Sequence, residues 1–303
     1  MSFFPQPAEL FSVCQNCFGF FRRLKRRCIA PGYERTAQHA GKFSTSPLKT
    51  SRVLPLFHRP FLFSRFFGDT MPDTEVYSIH PIAHIQSDFA EKFGIPRQSG
   101  LVDGLEARVV FTPDYRVAEA LRGIEQYSHL WLVWQFSQAA GRPWRPTVRP
   151  PRLGGNVRMG VFATRSPCRP NALGLSCVRL VGVEWDAPDG PALRVAGADL
   201  LDGTPIYDVK PYLPYVDSHP DAVGGFSDVT AHRTLAVDFP QPLLDKVPAE
   251  KRDALRGVLA QDPHPAYQHD PGRVYGMAFA GLTVRFTVDD DPDKMQLTVV
   301  AVE

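Results

Sequence analysis

The stretch from Arg142 to Arg169 limits the possible folds of this chain more than any other segment does. It contains seven arginines and no Asp, Glu or Lys. Prolines lie within or beside it at positions 143, 146, 150, 151, 167 and 170. Because proline fixes φ and removes a backbone donor, the stretch predicts loops with short strands and excludes a long helix.

An arginine-rich loop of this kind has two interpretations. A guanidinium presents five donors in a planar fork, which suits phosphates, carboxylates and the edges of nucleic-acid bases. The simpler alternative is a solvated basic rim. Glycines at 154, 155, 160 and 174 favour a ligand-binding surface, because they permit close approach of the backbone.

The positive charge is a local feature. Residues 1–70 contain 11 Lys and Arg against 3 Asp and Glu, whereas residues 71–303 contain 23 against 29. The longer part is therefore mildly acidic, and the arginine stretch is a distinct patch on it. The arginine cluster is therefore a local anion-binding candidate and not part of a general basic coating of the protein.

The five cysteines argue against a disulfide framework, because their number is odd, and are typical of a reducing compartment. We therefore predict a cytoplasmic protein. Cys14, Cys17 and Cys28 with His39 have the composition of a zinc site, but no hairpin signal flanks them, so we predict no metal. No apolar run reaches the roughly 18 residues that a membrane span needs.

The basic leader, residues 1–70, has no sustained helical or strand period. Three interpretations are open: an organellar transit peptide, a translation start that lies at Met71, or a basic arm that contacts RNA. We favour the start at Met71, because sequence with the pattern of a folded domain begins directly after it.

From Met71 onward the pattern is mostly that of strands. β-Branched and aromatic residues are concentrated in 76–85, 105–111, 129–136, 174–185, 192–201 and 204–213. Helical spacing predicts a helix over 115–127. Short strands with few helices between them indicate an antiparallel barrel or a sandwich for residues 71–219.

The pattern changes near residue 220, after a linker-like segment at 218–228. We predict a small α+β domain over 220–303. It has a strand near 231–238, a helix at 249–260, and strands at 274–288 and 295–302.

Four segments resemble the TrmO family, also called YaeB or TsaA-like. They are FGIPRQSGL (93–101), RPTVRPPRLGGNVRMGVFATRSPCRPNALGLS (145–176), DLLDGTPIYDVKPYLPY (199–215) and AQDPHPAY (260–267). The resemblance covers roughly residues 74–303. It implies a single β-barrel that binds S-adenosyl-L-methionine, usually in a homodimer. It also implies methyl transfer to N6 of threonylcarbamoyladenosine, next to the anticodon of a tRNA.

The methyl donor is implied by the resemblance alone. Most methyl-donor enzymes carry a Gly-rich turn after the first strand of a Rossmann sheet, and no GxGxxG occurs in this chain. The residues that match donor-binding positions of the family are Pro96, Arg97, Gln98, Ser137, Gln138, Arg165, Leu175, Asp199, Leu200, Leu201, Asp202 and Gly203.

Several of these positions have a simpler structural alternative. Ser137 stands where many relatives have His, which puts an imidazole role in doubt. From the sequence alone, Leu175 is more simply a core residue. Asp202–Gly203 is a strong turn dipeptide whatever else it does.

Two residues are hypothetical bases for the N6 proton: Asp202 first and Tyr212 second. For RNA binding we assign Arg145, Arg149, Arg152 and Arg169 to phosphates, and His264 and Tyr267 to stacking or polar contact with an anticodon-loop base. The rival functions are a non-catalytic RNA-binding module and an enzyme of small anionic substrates. The second rival lacks the paired metal-binding His/Asp clusters of phosphohydrolases.

Overall fold

The computed structural model describes residues 76–153, 156–228, 234–265, 268, 270, 272–289, 291 and 294–303, with the side chain of Arg152 excepted. The leader, with its three cysteines and His39, lies outside these residues. The described residues belong to one compact unit. The division near residue 220 stays a prediction.

Short alternating segments form most of the strands in the described residues. In chain order they are β1 (Ala83–Gln86), β2 (Glu106–Phe111), β3 (His129–Gln135), β4 (Thr147–Val148), β5 (Met159–Gly160), β6 (Leu173–Glu184), β7 (Ala192–Ala196), β8 (Pro205–Pro211), β9 (Ala236–Asp238), β10 (Tyr275–Phe279), β11 (Leu282–Asp289) and β12 (Gln296–Val302). The α-helices are α1 (Pro214–Asp217), α2 (Gln241–Leu244) and α3 (Arg252–Ala260).

Six strands close into an antiparallel barrel in the order β1-β2-β7-β6-β3-β8. Strand β3 illustrates the inward and outward faces of this barrel, because its residues alternate strictly between buried and part-exposed. Leu130, Leu132 and Trp134 face inward and meet Ile85 and Val109 from the opposing strands. The predicted mainly β fold is confirmed, and of the two predicted alternatives, barrel and sandwich, the structure has a closed barrel.

Strand pairing defines two ends of this barrel. At one end β3 finishes beside the start of β6, with Gln135 opposite Leu173. Because neighbouring strands are antiparallel, the connections 87–105, 136–172 and 197–204 all leave from this end, which we call the loop end. The opposite end contains the start of β3 and the finish of β8, where Leu130 pairs with Pro211.

The helix predicted over 115–127 is wrong. The segment forms isolated 3-10 turns at Pro113–Tyr115, Ala118–Leu121 and Ile124–Gln126. Gly123 separates the last two turns with a φ of 85°, which a continuous right-handed helix cannot contain.

Several predicted strands are shorter in the structure or are divided. The strand predicted over 76–85 begins only at Ala83, and the strand predicted near 231–238 is observed at Ala236–Asp238. The strand predicted over 192–201 stops at Ala196, because Gly197 turns the chain with a φ of 80°. The strand predicted over 274–288 is a hairpin, and Ala280–Gly281 provides its turn at φ values of 50° and 78°.

The C-terminal module is a four-stranded sheet, β10-β11-β12-β9, with α3 beside it. This confirms the predicted α+β appendage. The barrel's first connection, 87–105, supplies Phe89, Val102 and Leu105 to the same hydrophobic core. Gly257 of α3 permits this packing, because a Cβ there would lie 2.7 Å from the Val102 side chain. The barrel's loop end is therefore anchored to the C-terminal module.

Candidate functional site

The predicted tripeptide Pro96–Arg97–Gln98 lies in the first connection at the loop end. Arg165 donates from Nη1 to Gln98 Oε1, and the Gln98 amide donates to the carbonyl of Arg97. Ser99 fixes the next position, because its Oγ accepts the backbone N–H of Cys177 on β6 at 3.1 Å. The structure thus brings Gln98 and Arg165 together, although 67 positions separate them in sequence.

A buried polar chain lies beside this pair. The indole Nε1 of Trp134 donates to Ser176 Oγ at 2.9 Å, and the Ser176 hydroxyl donates to Asp199 Oδ1 at 2.6 Å. Burial raises the pKa of Asp199, and the Ser176 hydrogen bond and the nearby Arg165 charge only partly oppose it. A carboxyl group whose pKa is shifted by burial and that lies beside a specific charged partner is a candidate functional-site residue.

Trp134 can take part in this chain because Gly174 leaves room for its ring. A Cβ on Gly174 would lie 2.3 Å from the indole, and Phe136 packs against the same ring with centroids 4.3 Å apart. Sequence reasoning identified neither Trp134 nor Ser176 as a site residue. The available signals were the alternation in β3 and a serine at a buried position of β6, where Ser176 is fully buried.

The turn from Asp199 to Gly203 closes the loop end between β7 and β8. The Asp202 carboxylate accepts the backbone N–H of Ser87 through Oδ1 at 3.0 Å, and Gly203 has a φ of 72°. Asp202 is exposed, and among the described residues its Oδ2 has no hydrogen-bond partner. Leu201 is partly buried, while the Leu200 side chain is 1% exposed and belongs to the barrel core. Leu200 therefore offers a ligand only its backbone.

Three other donor-binding candidates are exposed at the loop end. Ser137 and Gln138 form a 3-10 turn directly after β3. Leu175 on β6 is 54% exposed, so the structural alternative of a core residue is wrong. An exposed leucine beside a polar site is a suitable apolar contact for a flat ring.

Tyr212 lies at the opposite end of the barrel. Its ring contacts His129 and Trp131, with centroids 6.1 and 5.8 Å away, and its N–H donates to the His129 carbonyl. Strand β8, seven residues and so roughly 20 Å long, separates it from the Asp199–Gly203 turn. The structure therefore does not bring the two hypothetical bases together within one chain.

The arginine stretch belongs to the connection 136–172, and within it β4 pairs with β5 as an antiparallel ribbon. Arg145 and Arg149 are exposed, and neither has a hydrogen-bond or ion-pair partner among the described residues. Arg169 differs, because it donates to the carbonyls of Val161 and Thr164 at 3.3 and 2.6 Å. Its predicted phosphate contact would compete with these bonds. The side chain of Arg152 lies outside the described residues.

A cleft of about 540 Å³ separates the first connection from the C-terminal Asp-Pro-His-Pro segment, and Pro96 and Arg97 line it. His264 also lines it but is 5% exposed, and its Nδ1 contacts the Asp262 carboxylate. This burial leaves no ring face for the predicted stacking on a base and leaves polar contact as the available interaction. Tyr267 lies outside the described residues.

Within the described ranges, no three His, Cys, Asp or Glu side chains are grouped as a metal site. The same part of the chain contains no helix long and apolar enough to cross a membrane.

Two family models and several known proteins match most of residues 84–303. Residues 84–218 match the tRNA-methyltransferase O N-terminal domain, and residues 232–303 match the TrmO C-terminal domain. The chain is 42% identical over 222 residues to a tRNA (adenine(37)-N6)-methyltransferase of Escherichia coli K12, covering 71% of this chain and 94% of that one. It is 47% identical over 163 residues to a protein of the same name from Eikenella corrodens, covering 54% and 92%.

Solved structures agree as well. A crystal structure of TrmO from Pseudomonas aeruginosa superposes with a TM-score of 0.60 at 35% identity, covering 76% of this chain and all of that one. A relative from the same species, 43% identical over 221 residues, is named a putative S-adenosylmethionine-dependent methyltransferase and covers 69% and 92%.

Proposed function

The chain belongs to the tRNA-methyltransferase O (TrmO) family, and we propose that its substrate is threonylcarbamoyladenosine at position 37 of a tRNA. Membership makes it an S-adenosylmethionine-dependent tRNA (adenine-N6)-methyltransferase, as the sequence resemblance implied. The threonylcarbamoyl group, a homodimer and a cytoplasmic location are the finer parts of the proposal.

One observation carries the assignment of the donor site, namely the Arg165–Gln98 pair beside the half-buried Asp199. S-adenosylmethionine carries a carboxylate, an ammonium and a sulfonium, so it needs a cationic and an anionic protein group close together. Arg165 offers the first and Asp199 the second, and exposed Leu175 offers an apolar surface for the adenine. The charges of Arg165 and Asp199 and the exposed apolar side chain of Leu175 therefore suit this cofactor.

The remaining candidates have supporting roles in this proposal. The backbone of Pro96 and Arg97 and of Leu200 to Gly203 borders the donor, and Ser137 and Gln138 offer hydroxyl and amide contacts at the rim. When bound, S-adenosylmethionine supplies an electrophilic methyl group. The protein orients both reactants, and such positioning provides much of the rate enhancement in group transfer.

Asp202 is the proposed acceptor of the N6 proton. Carbamoylation makes this N–H unusually acidic, so a carboxylate is a strong enough base. Ser87 holds Oδ1, which leaves Oδ2 for the proton. Tyr212 of the same chain is too distant for this role, because it lies at the opposite end of the barrel.

The test uses the full chain and tRNA transcripts that carry adenosine 37 with or without the threonylcarbamoyl group. Nucleosides are analysed by mass spectrometry after incubation with methyl-labelled donor. We expect N6 methylation of the carbamoylated tRNA and little or none of the unmodified one. A transcript with guanosine at position 37 is the matched control.

Two outcomes would contradict the proposal. Equal methylation of both adenosine transcripts would remove the threonylcarbamoyl requirement. Binding of donor and tRNA without methyl transfer to either would instead favour the non-catalytic RNA-binding module. Light scattering of the same preparation tests the homodimer, which a monomeric mass would exclude.

A further inference from the structure

Two large aromatic side chains are exposed on the arginine-rich surface. Trp144 is 48% exposed and Phe162 is 72% exposed. Their rings are nearly parallel, with an interplanar angle of 20° and centroids 6.5 Å apart. The donor site does not use either ring, so this exposed pair requires its own explanation.

Backbone hydrogen bonds hold the two aromatic residues in place. Trp144 and Phe162 belong to segments that β4 and β5 join as a two-stranded ribbon. The Arg145 N–H donates to the Cys168 carbonyl at 3.1 Å, and the Val161 N–H donates to the Pro146 carbonyl at 2.9 Å. The two rings therefore lie on a loop whose segments are held together by backbone hydrogen bonds.

Arg169 supports the pair from one side. Its guanidinium carbon lies 5.8 Å from the centre of the Phe162 ring, while two backbone carbonyls accept its N–H groups. Arg169 therefore acts as a positioning residue, and a cation over a ring face stabilises the ring's orientation. These contacts give Arg169 a structural role that is separate from its predicted contact with a phosphate.

The charge around the pair selects the class of ligand. Arg142, Arg145, Arg149 and Arg158 are exposed, and none has an acidic partner among the described residues. Aromatic rings within a positive groove are the combination that proteins use for single-stranded nucleic acid, because bases stack and phosphates pair with the cations. An apolar protein partner would not need four unpaired arginines.

We propose that Trp144 and Phe162 form a stacking platform for an unpaired base of the tRNA anticodon loop. Arg142, Arg145 and Arg149 bind the phosphates beside that base. The inference rests on the proposed function, which supplies the RNA. The position agrees with it, because Phe162 is three residues from Arg165, whose guanidinium binds Gln98 in the donor site.

The test measures binding of a fluorescent anticodon stem-loop to the full chain and to Trp144→Ala, Trp144→Phe, Phe162→Leu and Arg145→Ala. Stacking of one base on an aromatic ring corresponds to about 5- to 150-fold in affinity. We expect Trp144→Ala and Phe162→Leu to raise the Kd within that range, and Trp144→Phe to stay near the wild type. Arg145→Ala should lower the slope of log K against log salt by about 0.7–0.9.

Controls separate stacking from folding and from catalysis. Trp144→Ala should keep the wild-type affinity for S-adenosylmethionine. It should also bind a fully paired RNA duplex as tightly as the wild type does, because a duplex offers no unpaired base to stack. Unchanged stem-loop affinity in both Trp144→Ala and Phe162→Leu would overturn the platform, as would equal losses on the duplex. Failure of the proposed function is separate, because wild-type protein would then bind the stem-loop without methylating it.

Discussion

Two tryptophans of strand β3 are each linked by hydrogen bonds to an aspartate, one at each end of the barrel, and the two aspartates have different environments. At the loop end, Trp134 reaches Asp199 through Ser176, and burial raises the pKa of Asp199. At the opposite end, Trp131 donates directly to Asp217 at 3.1 Å. There the Leu213 N–H and the Trp131 indole lower the pKa of Asp217, because hydrogen bonds stabilise its charged form.

The difference shows that the same two residue types, tryptophan and aspartate, have different roles at the two ends of the barrel. Asp217 accepts two donors and closes the turn of α1, so its role is complete within the fold. Asp199 is held beside Arg165 in a less solvated site, and the fold leaves its charge incompletely compensated. Carboxylates of the second kind are typical of binding and catalytic sites. We therefore assign the chemistry to the loop end, and the following experiments test that assignment.

The largest effect expected is from the base. Asp202→Asn keeps an oxygen for the Ser87 N–H but cannot accept a proton, so the fold should survive while the reaction slows. We expect the single-turnover rate with saturating donor to fall by about 10²- to 10⁴-fold, the usual contribution of a general base. Tyr212→Phe, at the opposite end, should remain near the wild-type rate.

Either half of this comparison can fail. An unchanged rate in Asp202→Asn would eliminate Asp202 as the base. A large loss in Tyr212→Phe would show that the opposite end takes part in catalysis, which in this geometry would require a second subunit.

A smaller effect is expected from Arg165. Arg165→Ala removes a charge-assisted hydrogen bond to Gln98 and the cation beside Asp199. In the proposed site this cation also pairs with the carboxylate of S-adenosylmethionine. Such a charge-assisted hydrogen bond contributes about 1.5–3 kcal/mol, so the Kd for S-adenosylmethionine should rise roughly 10- to 150-fold in titration calorimetry. The Kd of Arg165→Lys should lie between those of the wild type and Arg165→Ala, because lysine keeps the charge without the planar fork.

Arg179→Ala is the matched control for Arg165. Arg179 on β6 is also an exposed arginine, in register with His129 of β3 and Ala196 of β7. Unlike Arg165, it makes no hydrogen bond or ion pair with Gln98 or Asp199 among the described residues. Its removal should leave the donor affinity unchanged. Equal losses in both variants would mean that overall charge, and not the Arg165–Gln98 contact, controls donor binding.

The sequence predicted those features that depend on local pattern. Alternation in HLWLVWQF indicates β3, and the prolines exclude a helix in the arginine stretch, which the structure forms from short strands and turns. Features that depend on long-range packing were not predictable. Ser176 meets Asp199 only because β6 and β7 pair in one register.

Burial of single residues was also beyond local pattern. His264 occurs in a polar, proline-rich segment, and nothing in that segment indicates that it packs against Tyr275 in the C-terminal module. Phe89 and Val102 lie in a connection without a regular period, so their place in the core of the C-terminal module was hidden.

The smallest effect expected is a pair of opposite pH dependences in stability. Because the folded pKa of Asp199 is raised above 3.8, its contribution to the free energy of unfolding should decrease as pH rises through 3.8 towards the folded pKa. The folded pKa of Asp217 is lowered, so its contribution should be present above 3.8 and should be lost as pH falls through the folded pKa. Asp199→Asn and Asp217→Asn each remove one of these dependences.

Urea unfolding of the wild type and both variants across the acidic range measures the two slopes. The wild-type stability relative to Asp199→Asn should fall with rising pH, and relative to Asp217→Asn it should fall with decreasing pH. Saturating S-adenosylmethionine should flatten only the first difference, because a cationic ligand beside Asp199 favours its carboxylate form. Slopes of the same sign in both variants would mean that the two ends hold their aspartates in equivalent environments, and the comparison that places the chemistry at the loop end would then lose its electrostatic basis.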